Sequence, residues 1–228
     1  MKAFTCLLLL AAPLSIQAQL GLVLPTENTA LLSKEPAGYF QFVDRTFEGE
    51  KTTPWEGGQF GFVRDPRRVG SRIAFARFHE GLDVKPVRRD ARGEPLDEVR
   101  AIAAGQVVYV TASTGLSNYG RYIVVRHDFP GGGPFFSLYA HLKQAGVQAG
   151  DAVKAGQAIG VMGYTGAGID QRRAHVHVEL NLLLDSHDYS ATGIDCRKPE
   201  VTHTAPSQPA QMVFYTGNEL PVQYRNDA

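Results

Sequence analysis

Histidines and carboxylates recur in this chain at spacings that can bring them to one spot. In "RRAHVHVELNLLL" (residues 172–184), His175, His177 and Glu179 stand two apart. In a strand, whose side chains alternate, those three share one face while Val176, Val178 and Leu180 share the other. In "FHEGLDV", His79 and Asp83 are four apart, which also shares a strand face, and Gly81 between them disfavours a helix. In "SLYAHL", Tyr139 and His141 are two apart and share a face on the same reading, which makes Tyr139 a candidate to orient a site residue or to meet substrate. Imidazole nitrogen and carboxylate oxygen are zinc ligands, and a catalytic zinc site uses three protein ligands plus a water. His79, Asp83, His141, His175 and His177 exceed three, and imidazoles left off the metal can move protons in a hydrolytic site. Spacing alone does not separate His175 from His177 as the ligand.

The elements that must position these residues read as strands. "SRIAFARF", "AAGQVVYVTAS", "YGRYIVVRHDF", "FFSLYAHL", "VQAGDAVKAGQAIGVMG" and "AHVHVELNLLL" are β-branched or aromatic runs bounded by turn residues. No helical period is sustained across this body, which predicts an antiparallel all-β domain over residues 71–196. Residues 19–70 are rich in turn signals and read as an irregular arm with a few short strands lying against that body. The tail, residues 197–228, holds Pro199, Pro206 and Pro209 and is expected to add an edge hairpin or wrap the surface. Residues 1–18 read as a secretory signal peptide: Lys2 precedes an apolar stretch of roughly a dozen residues ending near Ala18. That stretch is shorter than the roughly 20 apolar residues a membrane span needs.

Composition narrows the function classes. Hydrophobic residues make up 43% of the chain, charged residues 20%, and the formal net charge is zero, so the basic excess of a nucleic-acid-binding protein is missing. Beyond the signal segment the sole cysteine is Cys196, which cannot close an internal disulfide and reads as a small unreactive residue. His127, His187 and His203 fall outside the constellation and read as solvated structural residues. Glu179 can orient one of the paired histidines, as ligating imidazoles usually require. Asn118 and Tyr119 are expected on a groove wall, and Arg172 and Arg173 could meet carboxylates of a substrate.

These motifs resemble those of the lysostaphin/LytM-type zinc metallopeptidases, the glycyl-glycine endopeptidase family. "HEGLD" is similar to its His-x-Gly-x-Asp motif, "YAHL" to its second motif and "HVHVE" to its closing His-x-His, and the likeness runs over roughly residues 72–184. The resemblance implies zinc held by His79, Asp83 and His177, with His141 and His175 off the metal as the catalytic pair. It also implies antiparallel strands folded into a narrow groove, related to the duplicated hybrid motif of biotinyl/lipoyl domains. It implies hydrolysis of peptide bonds in bacterial peptidoglycan cross-links or stem peptides by an exported, periplasmic or extracellular, wall-associated protein, expected to be a monomer. The D-alanyl–diaminopimelate cross-link is the expected bond, because residues 19–70 resemble no LysM-type or SH3-type wall-binding module. Some relatives have lost ligands and activate amidases without catalysis of their own; this chain keeps all five positions. A silent wall regulator of that kind and a zinc peptidase acting on non-wall peptides are the alternatives.

Overall fold

A computed structural model describes residues 21–33, 36–42, 46–51, 57–129, 133–185 and 213–215. Strands form where the β-branched and aromatic runs stand, and glycine and proline turns separate them. In the arm, β1 (Thr46–Phe47) pairs with β2 (Glu50–Lys51), and β3 (Val63–Val69) at its end pairs with β4 (Arg72–Phe78), the first strand of the body. The body follows with β5 (Leu82–Val84), β6 (Glu98–Arg100), β7 (Gly105–Thr111), β8 (Tyr122–His127) and β9 (Phe135–Ala140). It continues with β10 (Leu142–Ala145), β11 (Ala152–Val153), β12 (Ala158–Met162), β13 (Val176–Asp185) and β14 (Val213–Tyr215). Helix is confined to single turns at Ala30–Ser33, Pro36–Tyr39 and Gln171–Arg173 among the described residues. The fold is therefore antiparallel all-β, as the sequence predicts.

The large sheet runs β11–β7–β8–β9–β13, and β5 and β14 share the far edge of β13. A smaller sheet runs β10–β12–β6. Alternation sends Val107, Ile123, Val125, Tyr139, Val176 and Val178 from the large sheet against Val99, Leu142, Ile159 and Met162 from the small one. Each such side chain, fully buried, contributes about 1.5–3 kcal/mol of hydrophobic stabilisation. The opposite face of the large sheet carries Val124, Phe136, Leu138 and Ala140, packed by Val108, Tyr109, Tyr119 and Tyr122.

The chain leaves the large sheet for the small one at a single residue. His141 sits between β9 and β10 with φ 63°, a left-handed conformation that costs a non-glycine residue about 1–2 kcal/mol. This turn breaks the alternation on which the sequence reading of "SLYAHL" rests. Tyr139 is fully buried in the core between the sheets, its Oη accepting from the Ile102 amide at 2.7 Å. It therefore shares no face with His141 and is not a substrate contact.

The arm is built into the core rather than laid upon it. Tyr39 and Phe40 belong to the buried cluster, and Phe40 bridges Val84 of β5. Gln41 N–H donates to the Asp83 carbonyl at 2.8 Å, and Asn28 Nδ2 donates to the carbonyls of Gly38 and Lys85 at 3.1 Å each. Residues 1–18, expected to be a signal segment, Cys196, His187, His203 and the tail except 213–215 lie outside the described residues. No helix of the described residues is long and apolar enough to cross a membrane.

Candidate metal centre

Strand register assembles the centre. In the antiparallel pair β5–β13, Asp83 stands directly opposite His177, so the two side chains project together from one face. His79 enters from the end of β4 across Glu80 and Gly81. A Cβ at Gly81 would lie 2.7 Å from His177 Cε1, so only glycine lets the His79 segment pass this close to the histidine ring. His79, Asp83 and His177 are 2%, 4% and 5% exposed, burial that polar groups tolerate only with partners.

Three donor atoms converge. His79 Nε2 lies 3.0 Å from His177 Nδ1 and 3.0 Å from Asp83 Oδ1, and His177 Nδ1 lies 2.8 Å from Asp83 Oδ1. Backbone and carboxylate acceptors decide which ring nitrogen faces inward. His79 Nδ1–H donates to the Gln59 carbonyl at 2.9 Å, turning Nε2 to the centre. His177 Nε2–H donates to Glu179 Oε1 at 2.7 Å, turning Nδ1 to the centre. Two imidazole nitrogens and one carboxylate oxygen on a triangle of this size suit a single ion about 2.0–2.2 Å from each, the distances of zinc sites. Burial raises the Asp83 carboxyl, but the charges of His79 and His175 and hydrogen bonds from His175 and His177 hold it well below the usual carboxylate range. Burial pulls His177 down, while its hydrogen bonds to Asp83 and Glu179 more than offset this and carry it to about 10.

Two further histidines stand beside the triangle. His175 precedes β13, donates from Nδ1 to the Arg173 carbonyl at 2.6 Å, and brings Nε2 to 3.4 Å from Asp83 Oδ1. His141 donates from Nδ1 to the Thr165 carbonyl at 2.9 Å, and its ring lies 4.7 Å from that of His175 at 65°. Burial, and then the neighbouring His175 and His177, push His141 well below the ordinary histidine value, so it is neutral at pH 7. Both rings are thus pinned at Nδ1 by backbone carbonyls, and the Nε2 of His175 faces Asp83.

Glu179 is 2% exposed, and its Oε1 accepts from His177 Nε2–H. Tyr119 borders the centre: its Oη donates to Glu179 Oε1 at 2.6 Å, and its ring lies 5.5 Å from that of His177. The Asn118 carbonyl packs on Gly166, where a Cβ would lie 2.1 Å away. Arg172 is exposed and pairs with Asp170 at 3.0 Å, while Arg173 donates to the Gly168 carbonyl at 2.9 Å. His127 is a correction. It is 1% exposed rather than solvated, its Nδ1–H bonded to the Ala104 carbonyl at 2.9 Å and its Nε2 2.7 Å from Ser137 Oγ.

Sequence reasoning missed the carbonyls of Gln59, Thr165 and Arg173, because a backbone acceptor leaves no residue-type signature. The glycines of "EGGQFG" are the available signal. A Cβ at Gly58 would lie 2.4 Å from the Gln41 carbonyl oxygen and 2.9 Å from Asp83 Cβ, which marks close backbone approach.

Comparison with known proteins agrees with this site. The family model for peptidase family M23 matches residues 77–188, which include all five clustered side chains. The chain is similar to lipoprotein NlpD of Yersinia enterocolitica, 38% identical over 76 residues, covering 33% of this chain and 69% of that one. It is also similar to the NlpD/LppB homolog lipoprotein of Pseudomonas aeruginosa, 34% identical over 91 residues, covering 40% of this chain and 27% of that one. A third relative is the uncharacterized lipoprotein YgeR of Escherichia coli, 32% identical over 117 residues, covering 51% of this chain and 37% of that one. The chain thus spans well under half the length of these last two. Among solved structures, the catalytic domain of the antimicrobial peptidase lysostaphin from Staphylococcus simulans aligns at 28% identity and TM-score 0.35, over 54% of this chain and 78% of that one. With the family match lying on the buried constellation, and more than two thirds of the Yersinia protein covered, the chain belongs to peptidase family M23.

Proposed function

We propose that this protein is a zinc-dependent endopeptidase of the bacterial cell envelope that hydrolyses peptide bonds in peptidoglycan cross-links or stem peptides. The observation that carries the reading is the pairing of a three-donor triangle with two more buried histidines, each anchored at Nδ1 by a carbonyl. A structural zinc site closes with four protein ligands, whereas three ligands with proton-transfer groups alongside is a hydrolytic arrangement.

His79, Asp83 and His177 would hold the ion. Zinc bound there supplies a Lewis acid that polarises a scissile carbonyl and makes water acidic enough to act near neutral pH. His141, held neutral by burial, takes the proton of the attacking water through Nε2 and returns it to the leaving amine. His175, when both its ring nitrogens carry protons, keeps Nδ1–H on the Arg173 carbonyl and donates from Nε2–H to the carbonyl oxygen as charge gathers there, a contribution of about 3–4 kcal/mol for one donor. Substrate lies against Tyr119 and the 113–120 loop. The D-alanyl–diaminopimelate cross-link is the first bond to examine, and the protein works as an exported monomer. Relatives named as lipoproteins, two of them outer membrane antigenic lipoproteins, support an envelope location.

Purified cross-linked muropeptide dimers test the reading. The zinc-loaded protein should convert them to monomers, 1,10-phenanthroline should stop the reaction, and added zinc should restore it. Stoichiometric zinc without turnover of any wall or glycine-rich peptide would instead assign a silent wall regulator.

A further inference from the structure

Beyond the ligands, the centre holds a buried carboxylate with more donors than orienting one histidine requires. Glu179 Oε1 accepts from His177 Nε2–H at 2.7 Å and from Tyr119 Oη–H at 2.6 Å, while Oε2 accepts from Asn181 Nδ2 at 2.9 Å. Alternation along β13 places Glu179 and Asn181 in one row with His177. Tyr119 comes from a different part of the chain, the loop between β7 and β8. Its other end is also engaged, because the Tyr119 carbonyl accepts from the His141 amide at 2.9 Å.

We infer that Tyr119 and Glu179 act as a linked positioning pair that sets the ring of the ligand His177 and ties it to the segment carrying His141. The inference rests on the reading of His79, Asp83 and His177 as metal ligands. A carboxylate on Nε2–H fixes the tautomer that offers Nδ1 to the metal and raises the basicity of that nitrogen. A second donor on the same oxygen restrains the carboxylate, so the Tyr119 hydroxyl acts on the His177 ring through Glu179. The Tyr119 backbone then joins this chain to His141, whose amide donates to the Tyr119 carbonyl at 2.9 Å.

Zinc affinity, measured on the full chain by competition with a chromophoric chelator, tests the pair without requiring turnover. Glu179→Ala should weaken zinc binding by about 10–100-fold, and Glu179→Gln by less, since an amide oxygen still accepts from His177. Tyr119→Phe should weaken zinc several-fold in the parent background and leave it unchanged in the Glu179→Ala background, because Tyr119 acts through the carboxylate. Cobalt substituted for zinc should give visible absorption bands that move in Glu179→Gln and Tyr119→Phe alike. Thermal melts in EDTA identify variants that fail to fold, and the two conservative replacements then carry the test. Parental affinity and cobalt bands in both conservative variants would overturn the inference, as would a Tyr119→Phe loss of equal size with and without Glu179. Failure of the parent to bind zinc would defeat the peptidase reading itself. A zinc-binding parent with indifferent variants would defeat only the pair.

Discussion

At the residue scale, the five clustered side chains divide by what their second nitrogen or oxygen touches. His177→Ala removes a nitrogen donor from the triangle and Asp83→Ala its only anionic oxygen, and either should abolish stoichiometric zinc in the purified protein. His141→Ala and His175→Ala should retain zinc by elemental analysis while lowering turnover by about 10²–10⁴-fold, the usual weight of general acid–base catalysis. A His141 variant that lost zinc while a His177 variant kept it would reverse the assignment. Away from the site, His127 makes a prediction about pH. Its burial pushes its pKa below the ordinary value, outweighing the hydrogen bond to Ala104 and the charge of Asp128. Below about pH 6.5 the unfolded chain therefore binds more protons than the fold, so stability falls as pH drops through that region. His127→Gln should be less stable at about pH 7.5 yet lose less on going to about pH 5, as read from urea melts in EDTA. His141, also pushed down by burial, titrates in both proteins, so the difference in slope reports His127.

At the element scale, strands were the legible part. The alternation of "HVHVE" places His177 and Glu179 on one face and Val176 and Val178 in the core, and the observed β13 follows it. The same rule failed at "SLYAHL", because parity holds only while the strand lasts and the chain changes sheets at His141. The assignment of His177 as ligand, with His175 beside it, comes from family resemblance rather than spacing. His175 precedes β13, bonded to Gly163 at 3.3 Å, and no periodicity reports that. The arm was hidden for another reason: it acts through main-chain atoms. Asp83 N–H donates to the Gly58 carbonyl at 2.8 Å, and His79 N–H to the Phe62 carbonyl at 2.7 Å, so residues 58–62 flank one side of the His79–Asp83 motif while β13 flanks the other. Gly58→Val should force this segment away from Asp83 and weaken zinc binding, with chelator competition as the measurement. Gly81→Ala should do the same by pressing on the His177 ring. Parental zinc affinity in both would mean that the arm and the motif move independently.

At the scale of the whole molecule, the metal centre lies on the outer face of the large sheet, and the core between the two sheets holds that face in register. The matched region begins at residue 77, while the candidate centre is bonded to Gln59 and Gly58 upstream, so its supports extend beyond the region shared with the family. A metal bound only by the fold stabilises it by mass action, about 2.7 kcal/mol at a hundredfold excess over Kd. For a chain of this size that corresponds to a Tm rise of about 5–10 °C on adding zinc to EDTA-stripped protein, measured by calorimetry. The His177→Ala protein should show no such rise.

The central claim, that the buried constellation cuts the peptides of the bacterial wall, is tested most directly by mass spectrometry of purified sacculi digested with the zinc-loaded mature protein. The account predicts soluble or uncrosslinked muropeptides with a newly exposed amine and carboxylate at a peptide bond, first at the D-alanyl–diaminopimelate linkage. Those products should be absent with His141→Ala and with chelated enzyme. Sacculi left with an unchanged muropeptide profile by protein carrying stoichiometric zinc would contradict it.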